Sequence, residues 1–237
     1  MRSNLSVRIV AEFLGSAFLV AAVVGSGITA ERLSNGNTAL ALLANTIATG
    51  AALVALILAF GPISGAHLNP VVSLADALEG GLAWLETVPY ISAQILGGIS
   101  GAITAHAMFG LPLVSLSHHM RRGPAQFLSE FIATFGLLSV IWGCSRSRPS
   151  LAPFAVGSYI TAAYWFTAST SFANPAVTIA RALSDTFSGI RSADVPLFVL
   201  AQVAGGIAAT LLFRWLNPSL PLAAKPIVIP HDTAVRH

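Results

Sequence analysis

The sequence predicts an all-α membrane protein: six transmembrane helices plus two re-entrant half-helices, arranged as an inverted repeat. Three observations carry this. Of 237 residues, 55% are hydrophobic and 9% charged, whereas a soluble domain carries about a quarter charged residues. The apolar residues collect into six long runs, roughly 7–30, 38–60, 84–109, 126–143, 151–168 and 195–215, on the scale of the ~20 residues a spanning helix requires. Finally, two short apolar pieces, 70–78 and 175–183, each follow an Asn-Pro pair.

The short pieces set the architecture. About nine residues of helix cover ~13 Å, half a bilayer at most. Such an element cannot leave its backbone ends in lipid, so it must be buried in protein or line a cavity. Pro70 and Pro175 suit the first helical turn, where a missing N–H costs nothing. Asn69 and Asn174 then fall at the N-cap, a position that favours Asn. Two helix N-termini in apolar surroundings, each with a side-chain amide, point to the narrow part of a pore.

The chain also repeats itself. Asn69-Pro70-Val71-Val72-Ser73-Leu74-Ala75 matches Asn174-Pro175-Ala176-Val177-Thr178-Ile179-Ala180. Ala93-Gln94-Ile95-Leu96-Gly97-Gly98-Ile99 matches Ala201-Gln202-Val203-Ala204-Gly205-Gly206-Ile207, and Ala11-Glu12-Phe13-Leu14 matches Ser129-Glu130-Phe131-Ile132. Each copy, about 1–110 and 126–216, holds three spans and one half-helix within a single channel domain, 1–216. An odd number of spans sends the second copy in from the opposite side. The half-helices are therefore expected to dip from opposite faces and meet N-terminus to N-terminus.

Charge is sparse and informs topology more than partners. With the N-terminus inside, Arg2, Arg8, Arg146, Arg148, Arg214, Lys225 and Arg236 fall on the cytoplasmic side, and Arg32, Arg121, Arg122, Arg181 and Arg191 outside. That lean toward positive-inside predicts cytoplasmic termini, and the expected location is the cell's inner (plasma) membrane. No basic cluster exceeds Arg121-Arg122, so the net charge of +3 is no nucleic-acid footprint. The first apolar run is too long for a signal-peptide core and carries Glu12. Cys144 is the single cysteine, which excludes an intrachain disulfide, and no ligand spacing suggests a metal. The Pro-rich tail 217–237 is expected to be an extended cytoplasmic segment.

These residues resemble the aquaporin, or major intrinsic protein, family over nearly the whole chain. SGAHLNPVVSLA and SFANPAV stand where that family has its two Asn-Pro-Ala loops, and AEFLGSAFLV, SEFIATFGLL and AQILGGISGA are similar to its helix signatures. The resemblance implies a homotetramer in the lipid bilayer with one pore per subunit, no cofactor, and passive flow of water or small neutral solutes. It makes Asn69, Pro70 and Val71 with Asn174, Pro175 and Ala176 the pore constriction. Val71 replaces the Ala of the first motif. At the position where most of the family has an Arg after the second motif, this chain has Val177. Counted by offset from the Asn residues, the remaining selectivity-filter positions implied are Thr49, Ala162 and Ser171. Those four residues make a wide ring with no aromatic and no charge. The pattern looks most like a bacterial aquaglyceroporin branch associated with arsenic-resistance operons. That resemblance implies arsenous acid and related metalloid hydroxides as substrates beside water and glycerol, with methylated arsenicals as further candidates.

Other residues are weighed against plainer roles. Asn69 and Asn174 could be ordinary caps, worth ~1 kcal/mol each; as pore amides they would donate N–H groups into the channel beside two helix dipoles. Glu12 and Glu130 lie inside spans, where carboxylates are costly and usually paired. The resemblance assigns them to holding the backbone N–H groups of the two re-entrant loops, with His67 ordering the first loop. Asp76 and Arg181 each sit seven residues past their Asn, but diverging half-helices put them ~20 Å apart. Each is expected at its own interface, and Arg181 is not expected to replace the missing filter Arg. His118 and His119 read as solvated loop residues, and the Gly-Gly pairs as sites of close helix packing. No nucleophile–base pair or phosphate-cradling loop suggests an enzyme. A secondary transporter also uses inverted repeats with broken helices, and a junctional protein that conducts little is a third possibility.

Overall fold

The computed structural model of the protein describes residues 4–216, apart from the side chains of Arg146 and Ser147. The expected tail 217–237 lies outside the described residues. One element order occurs twice. The first half holds α1 (Leu5–Leu33), α2 (Thr38–Ser64), the short α3 (Pro70–Leu78) and α4 (Trp84–Met108). The second holds α5 (Pro124–Ser147), α6 (Ala152–Phe166), the short α7 (Pro175–Arg181) and α8 (Val195–Leu216), with 3-10 turns at Pro149–Leu151 and Ser192–Asp194. No strand occurs among the described residues.

Local chemistry sets the boundaries. The Asn37 side chain accepts from the Leu40 N–H at 3.1 Å and starts α2, satisfying a donor that has no partner within the helix. Gly65, at φ 90°, ends it in the left-handed conformation. Pro70, Pro124 and Pro175 each open their helices at the first turn. Four helical stretches are long and apolar enough to cross a membrane unaided: Leu5–Leu33, Thr38–Ser64, Pro124–Ser145 and Ser192–Leu216. The others differ for physical reasons. In α4, the buried Thr87, Gln94 and His106 dilute the apolar run. The expected fifth span, 151–168, is only 15 residues of α-helix after a 3-10 turn, because the chain becomes extended at Thr167.

The halves pack alike. α1 lies on α4 and α5 on α8, while α2 and α6 join the halves. A Cβ on Gly97 would collide with the Phe13 carbonyl, and one on Gly205 with the Phe131 carbonyl. Both glycines therefore let two helix backbones touch, at matching places in the repeat. Gly206 serves a different need. A Cβ there would collide with Val71 Cγ1, so this glycine makes room for the larger side chain in the first Asn-Pro motif. Outward faces carry Phe18, Ile47, Leu85, Leu128, Phe154 and Leu200, all exposed, as suits a surface solvated by lipid. At the ends, Arg8 pairs with Glu86 at 2.5 Å and Arg214 with Glu79 at 2.5 Å.

Gly205→Val should strain the α5–α8 contact by about 1–3 kcal/mol and lower the melting temperature of detergent-solubilised protein. Leu128→Val, on the outward face of α5, should leave it nearly unchanged. Equal melting temperatures for the two variants would show that α8 does not press its backbone on α5.

Candidate pore

The short helices meet at their N-termini. Asn69 Oδ1 accepts from the Val71 N–H at 2.9 Å, and Asn174 Oδ1 accepts from the N–H groups of Ala176 at 3.0 Å and Val177 at 3.3 Å. The amide nitrogens cross over: Asn69 Nδ2 donates to the Ala173 carbonyl and Asn174 Nδ2 to the Leu68 carbonyl, each at 2.8 Å. An Asn amide has two N–H donors, so each keeps one for the cavity that both residues line. Cap and crosslink thus come from the same two side chains.

The loops before the Asn residues are strained in the same alternating way. Ala66 and Leu68 have φ 46° and 48°, and Ser171 and Ala173 have φ 47° and 49°. Left-handed backbone costs a non-glycine residue roughly 1–2 kcal/mol, so something must hold it. In the first half this is Glu12, fully buried, which accepts from His67 N (3.0 Å), Leu68 N (2.7 Å), Ser64 Oγ (2.6 Å) and Gln94 Nε2 (2.7 Å). In the second it is Glu130, accepting from Phe172 N (2.9 Å), Ala173 N (2.9 Å) and Gln202 Nε2 (2.6 Å). Each glutamine continues to the half-helix, Gln94 to Ser73 Oγ at 2.8 Å and Gln202 to Thr178 Oγ1 at 2.9 Å. The repeat aligned Gln94 with Gln202, but sequence reasoning gave them no part in the site. His67 stands between Ser73 Oγ (3.1 Å from Nδ1) and Asp76 (3.5 Å from Nε2).

Past the Asn pair, on both sides of it, runs a cavity of about 60 Å³. That is room for a short file of water molecules, each needing ~10–15 Å³ on this measure. Its wall includes Thr49, His67, Asn69, Ser171, Asn174 and Val177, together with Tyr164, Phe172 and Arg181. Pro70, Val71, Pro175 and Ala176 are buried behind the wall, where they fix the half-helices. Ala162 is not in the wall: it is exposed on the outer face of α6, which turns Ile160 and Tyr164 to the cavity. Counting by offset fails here because each helical residue turns about 100°. An error of two positions therefore selects the opposite face.

This corrects the expectation of a ring without aromatic or charge. Tyr164 brings its hydroxyl to 3.4 Å from Thr49 Oγ1. Arg181 is 1% exposed and borders the cavity with its guanidinium 3.4 Å from the centre of the Phe172 ring. It does not reach out to an interface. Asp76 also stays inside, at 3% exposure beside His67. The signal for Arg181 was present in the sequence: it follows Val177 by one helical turn and so shares its face.

The segment after α4 closes over the Arg181 end of the cavity. Ser115 and Ser117 donate backbone N–H groups to the carbonyls of Leu183 and Ala182, each at 3.0 Å, and Arg191 donates one to His119 at 2.8 Å. Arg121 Nε reaches the Gly189 carbonyl at 2.8 Å, and its Nη1 reaches the Ser169 carbonyl at 3.0 Å. The exposed His118 side chain meets Asp185 at 3.1 Å, and the His118 backbone N–H with this ring contact holds the Asp185 carboxyl below its usual range.

Paired half-helices touching at capped N-termini, inside a shell of lipid-facing helices and opening on a mainly apolar cavity with a few polar groups in its wall, define a membrane channel. The major intrinsic protein family profile matches residues 1–173 and, in a second overlapping match, 150–235. An aquaglyceroporin of Rhizobium meliloti, AqpS, is 54% identical over 220 residues, covering 92% of this chain and 94% of that protein. A probable aquaporin of Archaeoglobus fulgidus, AqpM, is 31% identical, covering 91% of this chain and 99% of its own. The X-ray structure of the aquaglyceroporin from Plasmodium falciparum superposes with a TM-score of 0.70 at 21% identity, covering 92% and 100% of the two chains, which speaks for the fold. The chain belongs to the major intrinsic protein family, whose members are channels and not enzymes.

Glu130→Ala would leave the Phe172 and Ala173 N–H groups without an acceptor, at about 1–3 kcal/mol each, and would leave Gln202 Nε2 only Thr178 Oγ1. The variant should melt well below the wild type, and vesicles containing it should lose osmotic water flow. A stable, conducting Glu130→Ala protein would mean that the second loop holds its shape without this carboxylate.

Proposed function

We propose that the protein is a passive channel for small neutral hydroxylated solutes: water, glycerol, and arsenous acid with related metalloid hydroxides. The observation that carries this reading is the wall at the level of Val177. Thr49 and Ser171 face the same cavity as Val177, so the section offers hydroxyl groups and apolar surface. Family members with an Arg at this position present a fixed charge and several donors there. Without it, a compact polyol gains cross-section, and arsenous acid, neutral at pH 7 and hydroxylated like a polyol, needs no charge to pass. Methylated arsenicals extend the candidate list, and Tyr164 and Phe172 in the wall set the limit on their size. The likeness to a rhizobial aquaglyceroporin supports glycerol as a solute.

Asn69 and Asn174 form the constriction in this reading. Each offers its remaining amide N–H beside a helix N-terminus, which orients passing hydroxyl groups. Glu12, Glu130 and His67 support the loops. Assembly as a homotetramer in the plasma membrane, with both termini cytoplasmic and the second half inverted relative to the first, follows from the family resemblance and from the lean of the basic residues.

The reading is tested with purified protein in vesicles, by stopped-flow swelling for water and glycerol and by uptake assay for arsenous acid. All three fluxes should exceed those of empty vesicles. Val177→Arg should reduce glycerol and arsenous acid entry at least about tenfold, equivalent to ~1.4 kcal/mol on the barrier, with a smaller loss of water flow. Arsenous acid uptake no faster than through empty vesicles would remove the metalloid assignment and leave a water and glycerol channel.

A further inference from the structure

The cavity wall contains one charged group that the proposed solute path has not used. Arg181 is the last residue of α7 and lies one turn outward of Val177. Its Nε is taken by the Ser188 carbonyl, and its guanidinium stacks on Phe172 at 3.4 Å. Nη1, by contrast, is buried and has no hydrogen-bond partner among the described residues, although the side chain borders the cavity. Ser171 Oγ, also in the wall, is likewise buried without a partner. No carboxylate forms an ion pair with Arg181 among the described residues; its guanidinium interacts favourably with the Tyr164 hydroxyl, which is within hydrogen-bonding reach, and with the Glu130 charge, and unfavourably with Arg121. A native protein rarely leaves a buried donor unmatched, and the cost of doing so is real. Such a donor in a channel wall is most simply matched by what passes through.

Arg121 is the instructive contrast. It also approaches Phe172, at 4.9 Å. Its donors, however, go to the carbonyls of Gly189 and Ser169 and to Thr170 Oγ1 at 3.3 Å. Arg121 fastens the outer segment, whereas Arg181 keeps a donor in reserve. Stacking on Phe172 and the helix C-terminus, with its partial negative charge, keep the Arg181 guanidinium in place.

Taking the channel reading above as its basis, we propose that Arg181 is the specificity-determining cation of this pore. It is displaced one helical turn outward from Val177, it excludes cations, and with Ser171 Oγ it gives passing neutral solutes a donor–hydroxyl pair. The solute class selected is then oxygen-rich and uncharged, with hydroxyl oxygens able to accept from Nη1. The displacement separates two roles along the axis, with Val177 setting the width and Arg181 setting the charge.

The test uses the full chain in vesicles, with tetramer assembly checked by size-exclusion chromatography. Water and glycerol flux are measured beside proton and sodium leak. Arg181→Gln removes the charge and Arg181→Lys restores it. The Gln variant should raise cation leak at least about tenfold with water flow retained, and the Lys variant should return it toward wild type. Arg181→Met serves as the neutral variant should Gln fail to assemble. A cation-tight neutral variant with an unchanged glycerol-to-water ratio overturns the proposal. Wild-type protein supplies a measurement independent of mutant folding: formamide should enter faster than its cationic analogue formamidinium by at least about tenfold, and equal entry of the two also overturns it. Vesicles with no water or glycerol flux above background would instead sink the channel reading itself, so the two failures are distinguishable.

Discussion

Two buried carboxylates hold this structure together where it is least able to hold itself. A chain entering a membrane halfway and turning back exposes backbone groups that lipid cannot satisfy. Here the turn is made with left-handed residues that are not glycine, at Ala66 and Leu68 and again at Ser171 and Ala173. Glu12 and Glu130 collect the inward-facing N–H groups of those turns. A carboxylate inside a membrane protein is expensive unless its oxygens are well matched. Glu12 meets that condition with four donors. The strained loops and the buried charges thus satisfy one another, and neither arrangement would persist alone.

The remaining geometry follows from these anchors. With the loops fixed, the leading Asn residues can exchange hydrogen bonds across the centre, Asn69 to Ala173 and Asn174 to Leu68. Each half therefore positions the other, and the centre of the molecule is a mutual cap between two helices too short to be stable on their own. The glutamines brace this from α4 and α8, bridging each carboxylate to a hydroxyl on its half-helix. Even the departure at Val71 is absorbed within this frame, because Gly206 leaves it space.

The sequence disclosed the architecture more fully than the wall of the pore. Helix number, the half-helices and the Asn caps were legible because each rests on a local signal: an apolar run, an Asn-Pro pair, a repeated segment. Counting leads to Thr49, Ser171 and Val177, which do line the cavity, since each lies within or near an element of fixed phase. It fails at Ala162, because the end of α6 depends on where the chain leaves the helix at Thr167. No periodicity in the sequence encodes that stop. Arg181 was misplaced for a different reason. The rise along α7 was read as carrying it out to the membrane surface, whereas the segment 111–123 and the stretch after α7 fold over the outer end and enclose it. Tertiary cover of this kind comes from parts of the chain with little pattern of their own.

The enclosure changes the electrostatics of the path. A unit charge about 4 Å from another interacts with ~1 kcal/mol in bulk water and ~4 kcal/mol at an effective dielectric of 20. Were Arg181 at an aqueous surface, as its sequence position suggested, its field would be screened within the Debye length. Buried beside Phe172 and roofed by the outer segment, it acts on the cavity with much less screening. Val177, one turn inward, keeps the section beside it neutral. The axis therefore runs from a positive outer section through an uncharged one to two helix N-termini whose dipoles are again positive toward the path. In the proposed channel a neutral hydroxylated solute would meet donors at both ends. A cation would meet unfavourable potential twice, so that no single residue would carry the whole of its exclusion.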